Sequence, residues 1–293
     1  MASAQRGYTR GIAYILLAEI LWGTVFFASQ IGLMYISPYS LLFLRFGVAA
    51  LAVVAAMPFM EDKLRIVPEL RKGWVWVLGL LYTLGYVLQY VGQDMTTASE
   101  ATLLANLSPV LIPIFAYTVL KERTGAFQRL AIVIGLAGLL LVASPRLSMG
   151  LSEAAGDLLL FLSSTFYALF TVFSKRVPTG TPSGSLAIII IVTTISLPIV
   201  AVMGGFETAV FAMPPLVWGA VIFLGIVCTL VALTSYLKGL STVPASQAGI
   251  LVLVQILVGL TLSTLVLGET MSPSQTVGAT LTAAALFIGI IRR

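Results

Sequence analysis

The chain has 293 residues, of which 59% are hydrophobic and 9% are charged, and its formal net charge is +5. A water-soluble domain of this composition would expose a largely apolar surface, so the class that fits is a helical membrane protein with several spans. The sequence has no histidine and a single cysteine, Cys228, which excludes imidazole metal ligands, intramolecular disulfides and cysteine clusters.

Ten apolar runs are each long enough to cross the hydrocarbon core of a bilayer, which takes about 20 helical residues. We number them spans 1 to 10. In chain order they cover residues 11–33, 39–60, 73–95, 97–120, 127–144, 154–174, 184–204, 214–237, 244–267 and 273–291. Because the loops between them are short, the sequence predicts an all-α polytopic membrane protein without a soluble domain.

Lysine and arginine set the predicted orientation, because the cytoplasmic loops of membrane proteins are enriched in them. With the N-terminus in the cytoplasm, 14 of the 16 cations fall on the cytoplasmic side, whereas Arg146 falls outside and Arg45 lies within span 2. This predicts a multi-pass protein of the cell (inner) membrane with both termini cytoplasmic. The cations belong to loops beside a lipid bilayer, so the net charge does not indicate a nucleic-acid partner.

The two halves of the chain resemble each other. Segments 97–128 and 244–275 align without a gap, and their identical positions include Ala98/Ala245, Ser99/Ser246, Ala101/Ala248, Leu120/Leu267, Glu122/Glu269 and Gln128/Gln275. Each half has five spans, an odd number, so the second half enters the membrane inverted relative to the first. We therefore predict two inverted five-helix repeats, residues 1–147 and 148–293, an arrangement that builds transporters around a midplane site.

Several short motifs, in their order and spacing, resemble those of the drug/metabolite transporter superfamily, EamA type. They are Trp22-Gly23 in span 1, Arg45 in span 2, Pro109 in span 4 and Gly268-Glu269 closing span 9. The first half departs from the pattern with Lys121-Glu122, and span 9 has Ile256 where span 4 has Pro109. The resemblance implies a transporter, implies export, and implies a cavity walled by spans 1, 3, 4, 6, 8 and 9.

Polar and aromatic residues recur at helical spacing within these spans, although such groups are costly in lipid, which indicates that they line a cavity. The candidate substrate-binding residues are Glu19, Trp22, Phe26, Tyr82, Tyr86, Gln89, Asn106, Tyr167, Phe170 and Gln255. Weaker candidates are Glu100, Ser108, Thr171, Thr229 and Tyr236. Glu100 also fits a cap at the start of span 4, and the hydroxyls also fit bonds within their own helices.

Glu19 is the only acid well inside a span. Two interpretations remain open for it. It is either a coupling residue that takes up a proton or a cation, or a structural hydrogen-bonded acid, for which Arg45 is one candidate partner.

A lining of aromatic, amide and hydroxyl groups with one acid suits a small amphipathic or cationic solute, because aromatic faces attract cations. The sequence therefore predicts a secondary transporter of a small organic metabolite such as an amino acid, amine or drug-like cation. We expect it to be an exporter that works by alternating access, with Glu19 as the residue where any coupling to protons would occur. The sequence carries no indication of oligomeric state.

We expect no cofactor and no enzymatic activity, and the chain has no GxxxxGK[ST] nucleotide-binding motif. The first alternative is an intramembrane enzyme, which would need a nucleophile with a base or clustered metal ligands. The second is a channel or scaffold subunit, which would carry no transport cycle of its own.

Overall fold

The computed structural model describes residues 2–59, 65–96, 104–105, 107–143, 151–204, 207–266 and 270–291. In these ranges the regular structure is helical, with no strand. The α-helices in chain order are α1 Ala2–Gly23, α2 Val25–Leu33, α3 Pro38–Ala56, α4 Ile66–Leu70, α5 Gly73–Asp94, α6 Ser108–Phe115, α7 Ala126–Ala143, α8 Leu151–Ser174, α9 Pro182–Val202, α10 Pro215–Ile222, α11 Ala232–Leu240, α12 Ala245–Leu251, α13 Leu253–Val266 and α14 Pro273–Ile291.

Several spans are not single uninterrupted α-helices. Span 1 comprises α1 and α2, and span 9 comprises α12 and α13. A π-helix, Ala116–Leu120, follows α6 in span 4, and a second, Phe223–Val231, joins α10 to α11 in span 8. Short 3₁₀ helices cover Met57–Phe59 and Thr208–Ala212, and α4 is a short helix in the loop between spans 2 and 3.

Seven stretches of the described chain are long and apolar enough to cross a membrane. They are Gln5–Leu33, Pro38–Phe59, Gly73–Asp94, Ala154–Ser174, Pro182–Val202, Pro215–Leu240 and Ala245–Val266, which correspond to predicted spans 1, 2, 3, 6, 7, 8 and 9. Two shorter apolar helices, Ser108–Leu120 and Ala126–Leu141, lie where spans 4 and 5 are predicted, and α14 lies at span 10. The prediction of an all-helical, multi-pass membrane protein is confirmed, and the count of ten spans stays a prediction.

Polar residues followed by proline begin the helices of three spans. Ser37 accepts a hydrogen bond from the Ser40 N–H at the start of α3, and Thr181 accepts one from the Gly184 N–H at the start of α9. Ser272 caps α14 in the same way through the Gln275 N–H. A proline follows each of these caps, where its fixed φ suits the first helical turn and its missing N–H costs no hydrogen bond.

The main helix contacts join the two halves of the chain. They pair α7 with α14, α5 with α8, α1 with α11, α3 with α9, α5 with α9, α6 with α8, α1 with α13, α6 with α12, and α3 with the π-helix Phe223–Val231. In span numbers these pairs are 5–10, 3–6, 1–8, 2–7, 3–7, 4–6, 1–9, 4–9 and 2–8. Each span of the first half has a counterpart five numbers later, so span 1 corresponds to span 6 and span 5 to span 10. When every span is replaced by its counterpart, the same set of pairs results.

The outward surface of the bundle is apolar. Leu51, Val133 and Phe287 are 70%, 64% and 68% exposed, which is typical of side chains that face lipid. The interior in contrast holds several buried polar groups, among them Glu19 and Arg45, both fully buried.

Candidate functional site

A cavity of about 60 Å³ lies between the two halves. Its lining residues come from spans 1, 3, 4, 6, 8 and 9, the six that the sequence predicts around a cavity. They are Glu19, Trp22, Val25, Phe26, Tyr82, Tyr86, Gln89, Ala105, Ser108, Ile112, Tyr167, Phe170, Thr171, Tyr236, Val252 and Gln255.

The structure brings nine of the ten candidate residues to this cavity. The tenth, Asn106, lies outside the described residues, as does Glu100. Of the weaker candidates, Ser108, Thr171 and Tyr236 also line the cavity. The structure places these residues at the cavity, and that they bind a solute remains a proposal.

Aromatic rings form one wall of the cavity. Tyr82 lies at the centre of this wall, with its ring centroid 4.6 Å from that of Phe170, 4.8 Å from Tyr86 and 5.5 Å from Tyr167. The pairs with Tyr86 and Tyr167 are edge-on, the favourable arrangement for aromatic side chains. Helical spacing explains the set, because residues four apart on α5 lie on one face of the helix.

Hydrogen bonds fix the other polar groups of the lining. The Tyr167 hydroxyl donates to Gln89 Oε1 at 2.6 Å, which joins α8 to α5. Thr171 and Tyr236 share a hydrogen bond of 2.8 Å between their hydroxyls, which joins α8 to α11. Each bond links a pair of helices across the wall, so these side chains hold defined positions around the cavity.

Trp22 lies against span 8. Its Nε1 donates to the carbonyl oxygen of Cys228 at 2.9 Å, and its ring centroid is 5.1 Å from that of Tyr236. The carbonyl of Cys228 is part of the π-helix Phe223–Val231. Because π-helical backbone leaves carbonyls outside the regular i→i−4 ladder, it provides an acceptor for the indole at this point.

Glu19 is fully buried on the cavity, and neither of its carboxyl oxygens has a hydrogen-bond partner among the described residues. The alternative that pairs it with Arg45 is wrong. The three nitrogens of the Arg45 guanidinium donate instead to the hydroxyls of Thr229 at 2.9 Å, Tyr90 at 2.7 Å and Tyr86 at 2.7 Å.

Other polar residues of spans 3 and 6 point into helix contacts. Gln93 Nε2 donates to the Phe26 carbonyl at 3.1 Å and is 2.7 Å from the Ser29 hydroxyl, so it joins spans 3 and 1 beside the cavity. The Ser163 hydroxyl donates to the carbonyl of Gly85 at 2.8 Å. These groups stabilise helix packing and do not line the cavity.

Sequence reasoning missed the apolar part of the lining. Val25, Ala105, Ile112 and Val252 line the cavity without any polar or aromatic group that would distinguish them from core residues. The sequence could have indicated them only through their positions next to candidate residues such as Phe26 and Ser108.

Three charged side chains, Glu122, Lys175 and Arg176, lie at one end of the bundle, beyond the cavity. Glu122 accepts hydrogen bonds from the Ala245 and Ser246 N–H groups at the start of α12. Burial lowers the pKa of Lys175, and the nearby Glu122 carboxylate offsets part of that shift. Glu269, the repeat counterpart of Glu122, lies outside the described residues.

The described part of the chain contains no group of three or more Cys, Asp or Glu side chains that could hold a metal ion. The cavity therefore offers a solute aromatic faces, hydroxyl and amide groups, and one carboxyl without a partner.

Comparisons with known proteins agree with this geometry. The profile of the EamA-like transporter family matches residues 9–144 and 154–291. The chain is 29% identical over 246 residues to the uncharacterized transporter YyaM of Bacillus subtilis (strain 168), covering 81% of this chain and 80% of that protein.

A second relative, the inner membrane protein YtfF of Escherichia coli (strain K12), is 24% identical over 96% of this chain and 94% of its own length. A solved crystal structure matches with a TM-score of 0.77 at 20% identity, covering 97% of both chains, which shows a shared fold. Because the family profile covers most of the sequence, the chain belongs to the EamA-like transporter family of the drug/metabolite transporter superfamily and is a multi-pass membrane transporter.

Proposed function

We propose that this transporter is a secondary transporter that exports a small organic metabolite such as an amino acid, an amine or a drug-like cation. The observation that carries the proposal is the Glu19 carboxyl, which is fully buried and unpartnered among the described residues, on a cavity between the halves. A carboxylate without a partner in a low dielectric is costly, so a proton or a cationic group at this position would stabilise it.

The aromatic wall supports the same class of solute. Tyr82, Tyr86, Tyr167 and Phe170 present ring faces and edges to the cavity, and ring faces attract cations. Gln89 and Thr171 add polar groups that would orient a solute. The predicted substrate-binding residues, Asn106 included, keep that role in this proposal.

The proposed architecture has ten spans in two inverted repeats, residues 1–147 and 148–293. Two observations support it. The family profile matches the chain twice, once in each half, and the main helix pairs map onto themselves when the halves are exchanged. Transport would follow from alternating access, in which the two halves rock around the cavity.

Proton coupling would operate at Glu19, and purified protein in proteoliposomes tests this. A thermal-shift screen against amino acids, polyamines and quaternary amines first identifies a solute that stabilises the protein. We expect uptake of that solute to respond to a pH gradient. Glu19→Gln should abolish the response and lower the rate about tenfold or more, the change that 1.4 kcal/mol represents.

Glu69→Gln provides the matched control, because Glu69 pairs with Lys72 within one surface segment and lies away from the cavity. Proton coupling at Glu19 would be refuted if the uptake rate were the same with and without a pH gradient, or if Glu19→Gln left the uptake rate unchanged. Counterflow separates a carrier from the channel alternative, because only a carrier is stimulated by its own solute on the far side.

A further inference from the structure

Four spans that line the cavity converge at the end where Glu122 lies. Thr171 lines the cavity and Lys175 follows four residues later, about 6 Å along the helix. Tyr236 and Leu240 have the same separation on α11. Spans 4 and 9 reach the same end through Glu122 and Ser246, so the polar contacts made here lie just beyond the cavity.

Two of these contacts cross between the halves of the chain. The Glu122 carboxylate, in the first half, accepts from the N–H groups of Ala245 at 3.3 Å and Ser246 at 3.1 Å. Pro244, at the N-cap of α12, makes no side-chain cap of its own, so Glu122 supplies the negative group that a helix start favours. The contact closes span 4 against span 9.

The second crossing contact runs in the opposite direction. Arg176 Nη2, in the second half, donates to the Val119 carbonyl of span 4 at 2.8 Å. Lys175 Nζ stays within the second half and donates to the carbonyls of Leu240 at 2.8 Å and Val243 at 3.0 Å. We call Glu122, Lys175 and Arg176 together the clamp.

An apolar layer separates the clamp from the cavity. Ala116, Val172 and Ala245 belong to one packed cluster with the cavity-lining residues Ile112 and Val252, and the first three are fully buried. A solute could leave the cavity in this direction only if the layer and the clamp separated together.

The end of span 4 has the backbone of a hinge. It follows Pro113, which removes a backbone donor inside α6, and continues as the π-helix Ala116–Leu120. Lys121 then adopts a left-handed conformation with φ of 58°, which a side chain rarely takes without a structural reason. Irregular helix of this kind concentrates at moving or functional sites.

The cavity itself is small for a transported metabolite. Its volume is about 60 Å³, whereas pockets that hold drug-sized ligands measure roughly 300–1,000 Å³. The cavity must therefore widen to hold an organic solute, and the apolar layer and the clamp would have to part for a solute to pass this end.

We propose that the clamp is a gate, in which the Glu122 and Arg176 contacts between the halves hold the cavity closed and their release at the span 4 hinge opens it. This inference rests on the proposed transport through the cavity. Beyond that proposal, the inference identifies the contacts that must break at this end of the cavity in each transport cycle.

Thiol labelling tests the gate without any substrate. Val172→Cys in a Cys228→Ala background places a single thiol in the apolar layer, where a maleimide reaches it only when this end opens. With purified protein in detergent, we expect slow labelling that becomes about five- to tenfold faster when Glu122→Ala or Arg176→Ala removes a crossing contact. Glu69→Ala should leave the rate unchanged.

Cys228 reports whether a variant has simply unfolded. It is fully buried beside Trp22 and Thr24, away from the clamp, so in a chain without Val172→Cys it should stay protected in the Glu122→Ala variant. Equal labelling of Cys228 and of the Val172→Cys thiol, or no acceleration by either clamp variant, would overturn the gate. The labelling assay uses no solute, so its result can be interpreted even if the uptake experiment fails. The gate and the proposed transport function can therefore be refuted independently.

Discussion

Arg45 holds two tyrosines of span 3 in place from the neighbouring span 2. Its guanidinium donates to the hydroxyls of Tyr86 and Tyr90, and its Cζ lies 4.3 Å from the Tyr86 ring centroid. Thr229 completes the set from span 8. Because charged donors in a buried site need acceptors, this network explains why an arginine is tolerated inside a span, and Lys could not reproduce its three directions.

The two tyrosines provide a matched pair for a prediction, since Tyr86 lines the cavity and Tyr90 does not. Tyr86→Phe and Tyr90→Phe each remove one acceptor from Arg45, so both should lower the free energy of unfolding by about 1–3 kcal/mol. Only Tyr86→Phe should also change solute uptake. Thermal unfolding and proteoliposome uptake measure the two effects, and equal uptake by both variants would show that Tyr86 only supports the fold.

Helices α1 and α11 pack against each other through glycine. A Cβ at Gly239 would stand 2.5 Å from the Gly11 carbonyl oxygen and 2.6 Å from Ile15 Cγ1. The two backbones therefore approach more closely than any side chain allows, as small residues permit in membrane bundles.

Gly239→Ala should destabilise the protein by about 1–3 kcal/mol, because the extra methyl group forces the two helices apart. The control is Gly47→Ala on α3, where an added Cβ meets nothing within 4 Å. Alanine is the better helix former, so this variant should be neutral or more stable by up to about 1 kcal/mol. The melting temperatures of the two variants in detergent measure this difference. Equal melting temperatures for Gly239→Ala and Gly47→Ala would contradict the close packing of α1 and α11.

The same element-level chemistry recurs in the two halves. Gln128 accepts from the Gly125 N–H before α7, and Gln275 accepts from the Ser272 N–H before α14. These glutamines are aligned positions of the two sequence segments, and each occupies the third helical position, where Gln completes a capping arrangement. The agreement supports a duplicated origin for the two helix starts.

At the scale of the whole molecule, the polar contacts near loops in the described part of the chain join segments that the charge rule assigns to the same face. Glu122 and Lys175 contact Ser246 and Leu240 at helix ends on the predicted cytoplasmic side, whereas the Ser37 N–H donates to Glu207 on the predicted outer side at 3.5 Å. These contacts agree with the predicted alternation of the spans across the membrane, and which face is cytoplasmic stays a prediction.

Single-cysteine chains in intact cells test this orientation. In a Cys228→Ala background, a membrane-impermeant thiol reagent should label Tyr35→Cys, in an exposed loop predicted outside, and should not label Arg123→Cys, in an exposed loop predicted inside. After the cells are opened, both should react. The reverse pattern would invert the topology and place the clamp on the outer side.

The sequence alone determined the membrane class, most span positions and nine of the residues that line the cavity. These follow from local properties, because apolar length reports a span and helical spacing reports a shared face. Only the tertiary structure decided the partners of Arg45 and Glu122, among them Thr229 and Ala245, which lie 184 and 123 residues away in the sequence. The rotation and lateral position of each helix set those contacts, and no local pattern encodes them.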